Sequence, residues 1–340
     1  MYFAQWVQAV NFGLRIGEKK MKIKPNSGRM IASFFLLMFF IEVLSCNSPV
    51  EENKPETNNN NIKLTGYDLS VPDKTIPLPD ILHEISGIVL IDQSSVACIQ
   101  DEHGVIFIFD LLENEIKDQH VFYGNGDYEG IARVDNTFYV LRSDGTLFEF
   151  SDYTSSYTEP KIYQTGIPAS ESEGLCYDKK GKRLLIAPKS KIEKGSEYKD
   201  RYLIYGFDLK SGILSEKPVY DFDMEEITRF ALDNKVIAPE KDKKKSKKGK
   251  KKSDGKTPEV NLRPSAIAIH PVTDKLFVLS SMENMLFIIS SNGAIEHIEK
   301  LDKDIFNMPE GITFFDNGDM LISNEGQNKV ATLLRFNYRQ

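Results

Sequence analysis

A short phrase recurs along the chain and sets what it can fold into: a Glu or Ser, then a Gly or Ala, then an Ile or Leu that opens an apolar stretch. It reads Ser86-Gly87-Ile88, Glu129-Gly130-Ile131, Glu173-Gly174-Leu175, Ser265-Ala266-Ile267 and Glu310-Gly311-Ile312. The small residues stand 43, 44, 92 and 45 positions apart. A fixed period of this size marks repeated supersecondary units, each too small to bury its own apolar face alone.

Each period follows one plan. The first gives GIVLI, SSVACIQ, VIFIFDL and HVFYG; the second gives GIARV, TFYVLRS, TLFEFS and a piece near KIYQTG. Turns such as DEHG and SDG join the second segment to the third, where tight hairpins want Asp, Asn and Gly. Four short antiparallel strands per period make a propeller blade, so the expected fold is an all-β propeller. The third period runs GLCYD, RLLIAPKS, YLIYGFDL and KPVYDFD, its hairpin stretched by KIEKGSEYKDR. Residues 224–262 then break the pattern with MEEITRFALDNKVIAPE and the lysine-rich run KDKKKSKKGKKKSDGK. One extra strand is legible before the lysines, so the 92-residue gap favours five blades with a long insertion over six. The last two periods resume as SAIAIHP, KLFVLSS, NMLFIIS, AIEHIEKL, and GITFFD, DMLISNEG, VATLLRFN. The final period is one strand short, and KLTGYDLS at the start of the domain is expected to complete it and close the ring.

The N-terminal region has a different character. Lys22, Lys24 and Arg29 precede the apolar run Ile31–Ile41, and Val43-Leu44-Ser45 leads to Cys46. A basic region, a short apolar run and a small residue before the break are the layout of a secretory signal. With Cys46 the site resembles a bacterial lipobox, which implies lipidation of Cys46. The apolar run falls well below the ~20 residues that span a bilayer. Residues 1–45 are thus the expected signal segment, with 1–20 upstream of a better start at Met21. Residues 46–62 read as a polar tether and 63–340 as one propeller, interrupted at about 239–258 by a self-repelling, disordered lysine insertion. The expected location is the bacterial cell envelope, on the outer membrane or periplasmic face.

The whole chain carries a formal net charge of −7, and loss of six basic and two acidic groups with residues 1–45 makes it −11. Such a body attracts cations and argues against nucleic acid. Expected partners are the membrane, through the anchor, and a small ligand or protein, with the chain itself monomeric. Cys98 and Cys176 lie within expected strands and read as small core residues.

Blade geometry places a candidate site. The innermost strand starts on the face to which the second strand returns, so the phrase and the turn after strand two are neighbours. Ser86, Glu129, Glu173, Ser265 and Glu310 should ring the channel mouth. Beside them should fall Asp101, Glu102, His103, Arg142, Ser143, Asp144, Lys189, Ser281, Met282, Glu283, Asn324 and Glu325. Glu129, Glu173 and Glu310, with Asn324 and Asp101, make an all-oxygen set for a hard cation such as Ca²⁺. Each Glu could instead accept hydrogen bonds from backbone N–H groups of the next blade and close the ring. Lys189 and Arg142 speak against a plain metal cage, since they could neutralise the carboxylates or hold an anion. G-x-S-x-G, H-E-x-x-H and C-x-x-C are all absent, so no catalytic residue is assigned.

The segments YDLSVPDKTIPLPDILHEISGI, DYEGIA, SEGLCYD with LLIAPKS, PSAIAIHP with LFVLSS, and PEGITF with LISNEGQ resemble the SdiA-regulated, YjiK-like propellers over about residues 64–338. The resemblance implies a β-propeller on the envelope side and a link to calcium. It carries site residues only at Glu129, Glu173, Glu310, Asn324 and Glu325. The expectation is therefore an envelope lipoprotein whose propeller binds Ca²⁺, or a small or cation-bridged ligand, at an acidic mouth. A metal-dependent hydrolase of lactones or phosphate esters and a protein-interaction scaffold stand as alternatives.

Overall fold

The computed structural model describes residues 65–151, 159–189, 200–239 and 259–339. The signal segment, the tether with Cys46 and the lysine run lie outside the described residues. Within them the chain forms five antiparallel blades. The first strand is β1 (Lys74–Pro77), and blade 1 is β2 (Ile85–Leu90), β3 (Ser95–Gln100), β4 (His103–Asp110) and β5 (Glu115–Asn125). Blade 2 is β6 (Tyr128–Val134), β7 (Thr137–Arg142), β8 (Thr146–Ser151) and β9 (Lys161–Gln164). Blade 3 is β10 (Ser172–Asp178), β11 (Arg183–Pro188) and β12 (Arg201–Asp208), with a split outer edge of β13 (Ile213–Leu214) and β14 (Tyr220–Asp223). Blade 4 is β15 (Ala266–Ile269), β16 (Leu276–Ser280), β17 (Met285–Ile289) and β18 (Ile295–Lys300). Blade 5 is β19 (Pro309–Phe314), β20 (Met320–Asn324) and β21 (Thr332–Phe336), completed by β1.

The ring closes as a clasp, though with a different segment from the one expected. β1 pairs antiparallel with β21, Lys74 opposite Arg335 and Pro77 opposite Thr332. Pro77 sits at the end of an outermost strand, where a missing N–H costs no ladder bond. KLTGYDLS is not a strand where it is described. Tyr67 is instead an anchor, buried against His270, Phe277 and Tyr338, its hydroxyl donating to the Gly318 carbonyl at 2.5 Å.

The extra strand expected before the lysines is also absent, because that stretch is helix α1 (Met224–Asp233). Met224, Ile227 and Ala231 are its buried residues, a spacing that puts them on one helical face. Asp223 caps it, accepting from the N–H groups of Glu225 and Glu226, and those two acids complement the positive end of the helix. Helix α1 packs on the outer edge of blade 3 and on β18 of blade 4, so the 92-residue gap holds no sixth blade among the described residues.

The core lies between blades. Five apolar clusters are described, and each joins residues of two adjacent blades. Between blades 1 and 2, for example, Ala97, Ile99 and Phe122 meet Tyr128, Phe138 and Phe148. Cys98 and Cys176 are free and buried in two of these clusters, and burial pushes both thiols up, away from reactivity.

Candidate functional site at the channel mouth

The recurring phrase has a distinct local structure. In blades 1, 2, 3 and 5 the ladder between the first two strands slips by one residue, and the extra residue is the phrase's first: Ser86, Glu129, Glu173 and Glu310. A bulge of this kind leaves its residue unpaired and re-aims the side chain. The second residue is small because the next blade is close. A Cβ on Gly130 would lie 2.7 Å from the Leu175 Cβ and 2.9 Å from the Glu173 carbonyl oxygen. The third residues, Ile88, Ile131, Leu175, Ile267 and Ile312, are all buried and line one central cavity of about 160 Å³. Five aliphatic side chains therefore plug the channel below the mouth.

At the mouth the first residues divide by chemistry. The two serines tie blades together: Ser86 donates to the Tyr128 carbonyl and Ser265 to the Pro309 carbonyl, each at 2.7 Å. Both acceptors immediately precede a phrase Glu in the next blade. The ring-closing role that a Glu could have had thus falls to Ser86 and Ser265.

The three glutamates converge on Lys189. Its Nζ lies 2.5 Å from Oε1 of the buried Glu173, and Glu129 and Glu310 act on the same ammonium. Burial, and then the Glu173 carboxylate, pushes the Glu129 carboxyl up to about 9. Burial and Glu173 likewise push Glu310 up to about 8, while the Ser281 hydroxyl bonds the carboxylate and opposes the rise. Burial raises Glu173 too, but its contact with Lys189 works against that. Burial draws the Lys189 ammonium down, and the three carboxylates outweigh it and hold the group above its usual value. The cluster is thus a Glu173–Lys189 contact flanked by two carboxyls that burial and Glu173 bias toward the protonated form.

The remaining candidates lie around this centre without joining it. Asp101 belongs to a second acidic group: burial, then Glu84, Glu102 and Glu325, lifts it to about 6. Glu325 acts on both groups. Asn324 is buried and its amide nitrogen donates to the Ile305 carbonyl at 2.9 Å, so it fastens a loop. Arg142 and Asp144 are held in a bidentate pair at 3.1 and 2.8 Å within their own turn. Glu102 is exposed and Glu283 half-buried on the rim. Among the described residues no group of three or more His, Cys, Asp or Glu is gathered to hold a metal ion. The Ca²⁺ donor set does not assemble as one cage.

A second repeated device went unread in the sequence. The carbonyls of Glu84, Asp127, Glu171 and Met308 accept from the N–H groups of Asp101, Ser143, Lys189 and Glu325. These carbonyls sit two residues before the phrase in blades 1, 2, 3 and 5. The acid-x-Glu/Ser spacing at Glu84, Asp127 and Glu171 was legible, and Asp127 and Glu171 do act on the site. The corresponding residue in blade 4 is Arg263. Lys189 is the cation of its set, at a position filled elsewhere by Asp, Ser or Glu. A cavity of about 240 Å³ opens beside it.

No family model and no curated relative matches the chain. Among solved structures, a glutaminyl cyclase from Myxococcus xanthus is similar at 13% identity, over 78% of this chain and 95% of that one, with a TM-score of 0.49. Virginiamycin B lyase from Staphylococcus aureus is similar at 14% identity, over 74% and 67%, with a TM-score of 0.39. A protein of unknown function from Bacteroides thetaiotaomicron is similar at 11% identity, over 71% of this chain and 52% of that one, with a TM-score of 0.42. At these identities and scores the likenesses transfer no activity, ligand or partner to this chain.

Proposed function

We propose that this chain is a lipid-anchored envelope propeller of the SdiA-regulated, YjiK-like kind that binds a positively charged group at the mouth of its channel. The convergence of Glu129, Glu173 and Glu310, from three blades, on one side of a plugged channel carries this reading. Two of the carboxyls hold protons near neutrality, and an arriving positive charge would ionise them, so binding is coupled to proton release. Because Glu173 is committed to Lys189 and the donor set makes no cage, a cationic or cation-bridged small ligand suits the mouth better than bare Ca²⁺.

Calorimetry on the full chain tests this, using CaCl₂ and ethylammonium as separate titrants at pH 6.5 and 8.5 in buffers of different ionisation heat. Ethylammonium should bind with proton release, more tightly at the higher pH, and Glu310→Gln should reduce the protons released. A response to Ca²⁺ with no response to ethylammonium would restore the bare-ion reading. Absence of heat with either titrant, with melting unchanged in chelator, would sink the binding role.

A further inference from the structure

The cavity beside Lys189 has a chemistry opposite to that of the mouth. Its charged lining is Lys189, Arg201 and Arg263 against the single acid Glu171, and Tyr202, Leu262 and Met282 supply apolar wall. In a chain with a net charge of −7, this is a local reversal of sign. Two of the cations are already committed. Lys189 is paired with Glu173, and Arg201 lies 2.7 Å from Asp221 and 3.7 Å from Asp223. Arg263 is exposed and has no ion-pair partner among the described residues. It occupies the position that is Glu84, Asp127 and Glu171 in blades 1 to 3. The blade plan therefore does not require a cation there.

We infer that this cavity takes a small amphiphilic anion, its charged head on Arg263 and Lys189 and its apolar body against Tyr202, Leu262 and Met282. At ~30 Å³ per water, 240 Å³ is the room of about eight waters, enough for a head group with a chain of about six carbons. A guanidinium offers a planar fork of donors to carboxylate or phosphate alike, so the shared chemistry is the oxyanion. The inference rests on the mouth reading only through Lys189, which belongs to both. Together they describe a ligand with a cationic end, or a bridging cation, at the mouth and an anionic amphiphilic part in the cavity.

The test is calorimetry or ligand-observed NMR on the full chain with hexanoate, hexyl phosphate, hexan-1-ol and hexylammonium. Either anion should bind at least about tenfold more tightly than hexan-1-ol, and the tighter of the two identifies the head group. Arg263→Gln should weaken that anion about tenfold, and Arg263→Glu, which restores the acid of blades 1 to 3, should abolish its binding. Melting of both variants reports whether the fold is intact. Hexylammonium binding as tightly as hexanoate, or a folded Arg263→Glu that binds the anion unchanged, overturns the inference. In the wild type, anion binding with no response to Ca²⁺ or ethylammonium overturns the mouth reading alone; the converse overturns the cavity alone.

Discussion

The mouth of the channel and the plug below it are built from the same three-residue phrase and behave oppositely. Its third residue is Ile in four blades and Leu in one, and the five buried side chains line a single central cavity. Its first residue is Glu in three blades and Ser in two, and the two types do different work. Packing at the plug asks only for an aliphatic group of suitable volume, so every blade gives a similar answer. At the mouth a bulge frees the first residue in blades 1, 2, 3 and 5, and the roles differ: each serine reaches a carbonyl of the next blade, whereas Glu173 meets the ammonium of Lys189 in its own blade. The plug is therefore a matter of stability and the mouth one of chemistry.

The largest effect that could break this division is at the plug. Leu175→Asp would place a carboxylate among four aliphatic side chains, and a loss of about 4 kcal/mol in urea unfolding is expected. If the variant unfolds like the wild type, the channel is wet rather than plugged. Next comes Gly130→Ala, whose new Cβ would clash with the backbone carbonyl of Glu173 and with Leu175 and force two blades apart. About 3 kcal/mol should be lost, read in the same experiment.

A smaller effect follows from the mouth carboxyls. Glu129 and Glu310 titrate at about 9 and about 8 in the fold, against an ordinary value of 4.5. The unfolded chain thus releases these protons first, so their contribution is complete below about pH 4 and is lost as pH rises toward 8 to 9. Wild-type stability should fall by about 2 kcal/mol between pH 5 and 8, since water still reaches both groups. The double variant Glu129→Gln, Glu310→Gln should flatten that slope, and an unchanged slope would place the titration elsewhere. The smallest effect is at a tie between blades. Ser265→Ala removes a 2.7 Å hydrogen bond to the Pro309 carbonyl and should cost about 1 kcal/mol. A comparable loss from Glu310→Gln alone at pH 7 would mean that the glutamates hold the ring together as the serines do.

Much of this was written in the residues. The spacing of the phrase gave the blades, and the missing last strand implied a clasp from the N-terminal side. The choice of Lys74–Pro77 over KLTGYDLS was not legible, because both stretches alternate weakly and only the register against β21 and the burial of Tyr67 separate them. The segment after blade 3 is a helix and not a strand: Met224, Ile227 and Ala231 recur at helical spacing, and the cap at Asp223 and the acidic first turn are the signals that mark its start. At the site, the sequence brought Glu129, Glu173, Glu310 and Lys189 to one face but did not separate them from Asp101 and Asn324.

Periodicity alone determined the five copies of the phrase, the polar mouth and the aliphatic stretch behind it, because each is a local pattern copied along the chain. Only the tertiary structure decided which copies meet. It paired each serine with the next blade's carbonyl, set Lys189 against Glu173, and left Arg263 beside a cavity at a position where blades 1 to 3 carry an acid. These contacts join residues separated by 16 to 44 positions, and their energies depend on burial and on distances of a few ångströms. A repeat can fix where a side chain starts, but closing the ring fixes what it finds.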